Sequence, residues 1–176
     1  MTTLSDYITQ VRRLLHDANA NFWTDQELTD YINGARNRLV RDTGVNRVLQ
    51  SSSVQQNQEA YPLSGLPQGS LTLDIVNINL YWGNSRIPLR YLPWTQFNAE
   101  LRYWQNYVGR PIAYSMYGPQ TFYVGPVPDQ TYAIELDSIV QPTDLTSLSQ
   151  VETIPLPFTE PVPYYAAYTA KYKEQS

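Results

Sequence analysis

Cysteine is absent from the 176-residue chain, so disulfides, thiolate nucleophiles and Cys-ligated metals are excluded. Histidine occurs once, as His16, and a Ser–His–Asp triad would have to use it. His16 follows Leu14 and Leu15 in a helical pattern and is expected on the opposite, solvated face, with no nucleophile elbow near it. Neither common glycine-rich phosphate loop is present. No run of about 18 apolar residues occurs, so no transmembrane helix is expected. The opening Met1-Thr2-Thr3-Leu4-Ser5-Asp6 has neither the basic nor the apolar region of a signal peptide. These features suit a protein made and used in a cytoplasm, or carried inside an assembly. Lysine is confined to Lys171 and Lys173, the net charge is -4 and the pI is near 4.9, which argues against a protein that coats nucleic acid. Enzymatic activity, cofactors and metals are therefore not expected. The nearest acidic pair, Glu135 and Asp137, reads as a solvated strand face; a hard-cation site or a carboxylate-pair hydrolase are the alternatives.

Aromatics and arginine are plentiful. Fifteen Tyr, four Trp and ten Arg among 12 basic residues are the side chains favoured where surfaces become buried on assembly, although Tyr also suits half-buried strands. The length suits one domain, or a small domain with an insertion.

Leu4, Tyr7, Ile8, Val11, Leu14, Leu15 and Ala18 repeat at helical spacing and predict a helix over roughly residues 4–18. Thr24 and Glu27 form a capping box, with Trp23 and Leu28 placed for a hydrophobic staple. A second helix therefore starts after Thr24, carries Leu28, Tyr31, Ile32, Ala35 and Leu39 as its stripe, and stops at Gly44. From Arg47 the period changes. Residues 60–63 read as a short returning strand. Residues 71–82 and 85–89 read as a hairpin around Gly83-Asn84, with a register break near Val76 and Asn77. Trp94, Phe97, Leu101 and Trp104 predict a helix near 94–107. Residues 112–117, 120–124 and 131–140 read as a three-stranded meander. Residues 141–157 read as loop, and a last helix begins at Glu160 with Pro161 and Pro163 in its first turn. The expected fold class is α+β: an N-terminal helical hairpin (1–45), an antiparallel β-rich insertion (46–145), and a loop with a C-terminal helix (146–176) that packs with the N-terminal helices. No internal repeat or low-complexity tract is present.

Two surface features stand out. Arg36, Arg38, Arg41 and Arg47 form the one basic cluster. Asp30 and Asp42 share the helix, so weak surface ion pairing is the plain reading. A phosphate backbone or an acidic partner subunit are the alternatives. The last helix carries Tyr164, Tyr165, Tyr168 and Tyr172 on one arc, and Ala166, Ala167 and Ala170 over much of the rest. A helix apolar on both sides is expected to be buried on both sides, with another subunit as one partner. The alternative packs the Tyr arc on the β region and leaves the Ala face in water.

The segments Leu4-Ser5-Asp6-Tyr7-Ile8, Val11-Arg12-Arg13-Leu14-Leu15 and Phe22-Trp23-Thr24-Asp25-Gln26-Glu27-Leu28, continuing to Ala35-Arg36, resemble the N-terminal helical hairpin of tailed-bacteriophage head-to-tail adaptor proteins. Tyr61-Pro62-Leu63, the run from Pro126 to Tyr132, and the run from Pro163 to Tyr168 are similar to segments of virion proteins of that type. The resemblance implies a homo-oligomeric ring, usually of twelve subunits, under the portal protein at the head–tail junction of a virion assembled in the host cytoplasm. It implies tail or nozzle proteins as further partners and a bore that passes DNA, with no membrane involved. The long C-terminal extension that many adaptors dock on the portal is missing from this pattern, which counts against portal docking by this chain. A different class of function, a carbohydrate- or ligand-binding module, would use Trp82, Trp94 and Trp104 as stacking platforms.

Overall fold

The computed structural model describes residues 2–102 and 107–174. Its elements in chain order are α1 (Leu4–Leu15), α2 (Asp25–Thr43), β1 (Arg47–Val54), β2 (Ala60–Pro62), β3 (Thr72–Trp82), β4 (Ser85–Pro88), β5 (Arg90–Tyr91), α3 (Trp94–Phe97), β6 (Val108–Gly109), β7 (Ala113–Tyr117), β8 (Thr121–Gly125), β9 (Val127–Pro128), β10 (Tyr132–Val140) and α4 (Pro161–Glu174). The chain divides into two compact units, Met1–Asn46 with Gln141–Ser176, and Arg47–Val140. The fold is α+β, with the N-terminal helices and the C-terminal helix in the first unit and mainly antiparallel sheet in the second.

In the helical unit, Thr3 caps α1 by accepting from the Asp6 N–H at 3.2 Å, and the Asp6 carboxylate accepts from the Thr3 N–H at 2.8 Å. The next free donors, the N–H groups of Leu4 and Ser5, donate to the carbonyls of Gln150 and Leu148 at 3.1 Å. The helix ends at Leu15, short of the predicted Ala18, because His16 turns into the left-handed region (φ 58°). Asp17 explains the early stop. Its carboxylate accepts from the backbone N–H groups of Asn21, Phe22 and Trp23, and so gathers the following loop into a tight turn. Those hydrogen bonds, the one from Trp23 above all, hold the Asp17 pKa below the usual carboxylate value. The capping box of α2 and its stop at Gly44 (φ 63°) are as predicted, and Trp23 and Leu28 share one core.

The buried stripe of α1 differs from the predicted one. Leu14 is exposed and Arg12 is buried. Arg12 lies one turn beyond Ile8 and turns inward to bond Asp17 (2.9 Å), the Trp23 carbonyl (2.9 Å) and Asp25 (2.7 Å). Packed against both α1 and α2, α4 contributes Val162, Ala166, Ala167 and Ala170 to their core. The segment 141–157 has little ladder of its own. Side chains hold it instead: the Asn33 amide donates to the Leu145 carbonyl and accepts from the Leu145 N–H, both at 2.9 Å.

The β unit contains two four-stranded sheets, β1-β10-β3-β4 and β2-β8-β7-β5, whose inner faces share one apolar core that includes Val54, Ile78, Leu80, Leu136, Tyr114 and Phe122. The β3–β4 hairpin forms around Gly83-Asn84 as predicted. The register break is also where the pattern placed it. Asp137 faces Asn77 but Ser138 faces Ile75, so Val76 is the extra residue of a bulge. The Val76 carbonyl accepts from the buried Tyr114 hydroxyl at 3.1 Å, and burial pushes that phenol up to about 12.

Three expectations are corrected here. First, β2 pairs with β8, not back onto β1. Second, the three-stranded meander does not form: β7 and β8 pair, but β10 belongs to the other sheet, between β1 and β3. Pro126 and Pro128 lie between β8 and β10 and lack the N–H that a continuing ladder needs, so the chain changes sheets there. Third, the short helix expected near 94–107 does form over the described residues Trp94 to Arg102, but as one α turn, Trp94–Phe97, that runs into a π turn over Asn98–Arg102, and Val108 already lies in β6. The wider turn lets Leu101 lie on Gly125 and Arg102 reach across Tyr123 to Glu59. A Cβ on Gly125 would fall 3.0–3.1 Å from the side chains of Leu101 and Phe97, which would have to give by a few tenths of an ångström. Trp104 lies outside the described residues.

Candidate assembly surface

Small residues determine how α4 sits. Ala166, Ala167 and Ala170 are buried against α1 and α2, which brings the helix backbone close to them. The tyrosines are left outside. Tyr164, Tyr165, Tyr168 and Tyr172 are 61%, 42%, 64% and 67% exposed. This is the reverse of the alternative in which the Ala face meets water. Successive rings of Tyr165, Tyr168 and Tyr172 lie 6.2 and 6.5 Å apart at 39° and 34°, which makes a continuous aromatic ridge.

The four arginines do not form one surface. Arg36 is completely buried and is withdrawn as a contact residue. It follows Leu28 and Ile32 at helical spacing, so it faces inward, where Glu152 receives it in a two-pronged pair at 2.9 Å on each prong. Its remaining nitrogen donates to Asn33 and to the Thr143 carbonyl at 3.0 Å. Glu152 also accepts from the Tyr7 hydroxyl and from the Thr153 and Ile154 N–H groups. Burial works against its charge, but the hydrogen bonds from Arg36 and Ile154 and the charge of Arg36 outweigh it and hold the carboxyl below its ordinary pKa. Burial, then the Glu152 charge, push the Tyr7 phenol well above its ordinary value.

Arg47 is also engaged, paired with Asp137 across the β1–β10 ladder. Arg38 is exposed and bonds Asp42 at 2.6 Å, the surface pair expected for this helix. The hydrogen bond and charge of Asp42, with a smaller contribution from Tyr165, raise the Arg38 pKa. Tyr165 of α4 thus lies near enough to Arg38 of α2 to act on its charge. Arg41 is exposed one turn further along the chain.

The other candidates fare as follows. His16 is exposed, but as the left-handed residue that closes α1 and not within the helix. Glu135 pairs with Arg86, and Asp137 with Arg47. Among the described residues no group of three or more His, Cys, Asp or Glu is placed to hold a metal. The Trp82 ring carries the Arg110 guanidinium at 4.1 Å, and Trp94 is packed by Tyr117, Tyr123 and Arg102, so both faces proposed for stacking a ligand already have partners. No helix among the described residues is long and apolar enough to cross a membrane.

The structure is thus a helical unit with an exposed tyrosine ridge, joined to a β unit. The family model of the SU10 adaptor protein matches residues 2–175, and the chain belongs to that family. It is a bacteriophage structural adaptor protein, a virion component that works with other head and tail proteins. Among curated proteins none matches the chain.

Proposed function

We propose that the protein forms a closed homo-oligomeric ring, of twelve subunits as the adaptor resemblance implies, between the capsid portal and the tail or nozzle. DNA passes through its bore, and the protein acts as a passive gasket with no chemistry of its own. The observation that carries this reading is α4: its Ala face is used inside the chain, while Tyr164, Tyr165, Tyr168 and Tyr172 stand exposed, Tyr165 near enough to the exposed Arg38 to act on its charge. Tyr and Arg are the residues that dominate binding energy where surfaces meet. A ridge on one flank that meets a different patch on the next copy is a heterologous contact, which closes into a ring when the rotation permits. The net charge of -4 suits a bore through which DNA slides, because phosphate affinity comes from Lys and Arg.

Negative-stain imaging of the purified protein tests the proposal. Wild type should form rings with a central hole. Tyr168→Asp should remain monomeric with unchanged β content by circular dichroism, because it places a charge in the middle of the ridge. Rings of normal yield from Tyr168→Asp would remove α4 from the contact.

A further inference from the structure

The exposed face of α4 is chemically one-sided. Residues 164–172 contain no Asp or Glu. The exposed Lys171 follows Tyr168 at a spacing of three and so shares the face of the tyrosines. It has no ion-pair partner among the described residues. An ammonium only donates and a phenol donates readily, so this face calls for acceptors set among apolar groups.

The helical unit carries such a surface elsewhere. A groove of about 330 Å³ runs between the first turns of α2 and the segment 144–148. It is lined by the buried Leu4 and Leu145 and by Leu148, which is 53% exposed. Asp30 and Asp144 also line it, both exposed and neither ion-paired among the described residues, whereas its third carboxylate, Asp25, is spent on Arg12. The two free carboxylates are fixed relative to each other. Asn33, one turn after Asp30, both donates to and accepts from Leu145, the neighbour of Asp144, at 2.9 Å. No residue of α4 lines the groove, so one copy can offer both surfaces at once. The larger cavity of this unit, about 580 Å³, fits the role less well. Tyr164 lines it, so a ridge seated there would meet the ridge of its partner, a two-fold contact that stops at a pair.

We infer that the α4 face of one copy seats in the groove between α2 and segment 144–148 of the next copy, with Lys171 against Asp30 and Asp144 and the tyrosines over Leu148. Opposite charge and matched donors and acceptors select this occupant. The inference rests on the ring reading above and names the patch that receives the ridge.

Charge reversal tests it, read by sedimentation of the purified full chain. Lys171→Glu sets acid against acid at every junction, and Asp144→Lys sets base against base. Each alone should keep the wild-type circular dichroism and weaken assembly about ten-fold or more. Asp30→Lys, on a different element, should behave as Asp144→Lys does. The decisive sample is an equimolar mixture of Lys171→Glu and Asp144→Lys. In alternating order the reversed ridge meets the reversed groove and the native ridge meets the native groove, so the mixture should assemble as the wild type does. Wild-type assembly by the single variants, or a mixture as dissociated as its components, overturns this seating and leaves the ring standing. Failure of the wild type to assemble at any concentration overturns both.

Discussion

Arg36 lies at the centre of the helical unit, fully enclosed and paired with an equally enclosed Glu152. At the centre of the β unit lie Ile78, Leu80, Ile134 and Leu136, and its ion pairs, Arg47–Asp137, Arg86–Glu135, Arg90–Glu100 and Arg102–Glu59, keep at least one partner in contact with water. The difference follows from what each backbone can do for itself. Strands satisfy their own polar groups through the ladder, and apolar side chains then suffice for the core. The loop 141–157 has only a single bridge, Val151 to Thr3, and a few main-chain bonds to the start of α1, so Asn33 and Arg36 of α2, with the loop's own Glu152, supply further partners from side chains. A buried ion pair is a costly way to stabilise a core, but it specifies one arrangement of loop and helix.

The largest expected effect tests this contrast. Arg36→Met leaves Glu152 buried without its cation and should cost about 3–5 kcal/mol in a urea titration. Amide exchange should accelerate first in α1, α2 and the 141–157 segment. Adding Glu152→Leu should recover much of the loss. Acid should produce a graded version of the same damage. The folded-state pKa of Glu152 lies below its ordinary 4.5, so the stability it contributes is complete above that value and drains away as the pH falls through the folded pKa. Glu152→Gln should flatten that acid slope while lowering stability at neutral pH.

In the β unit the corresponding experiment is Leu136→Ala, a cavity in a site with no exposure, expected to cost about 2–5 kcal/mol. Its effect should not change between pH 7 and pH 4. If it did, the contrast between a charge-held and an apolar core would fail. The smallest effect belongs to the exposed arginines. Arg38→Ala with Arg41→Ala should leave the thermal midpoint unchanged. A change in assembly across a salt series would assign the pair to subunit contacts, and loss of a salt-sensitive DNA affinity would assign it to phosphate. If neither changes, this is an ordinary solvated face.

The local code was legible wherever a few neighbouring residues decide the outcome. The Thr24–Glu27 box, the Gly44 stop, the Gly83-Asn84 hairpin, the Val76 break and the proline-led α4 all follow from side-chain reach or backbone freedom within one turn or one strand. So does the α+β class, because the switch from a period of 3.6 to one of 2 and back is written along the chain. The misreadings within the helices have one form. Arg12 after Ile8, and Arg36 after Leu28 and Ile32, occupy inward positions of an amphipathic stripe, and that spacing was the available signal that neither faces solvent. Polarity suggested otherwise, since the carboxylates that permit their burial lie outside their helices, at Asp17 and Glu152.

The sequence by itself therefore determined the helix boundaries set by caps, the strands, the punctuation between them and the surplus of tyrosine on α4. Only the tertiary structure decided which strands share a sheet, since an edge of β8 offers the same hydrogen bonds to β2 as to β10, and the choice rests on where the prolines let the chain go. It also decided which face of α4 is spent inside the chain. Alanine and tyrosine are both apolar enough to be buried, but only alanine is small enough to let three helices meet, and the tyrosines are left exposed.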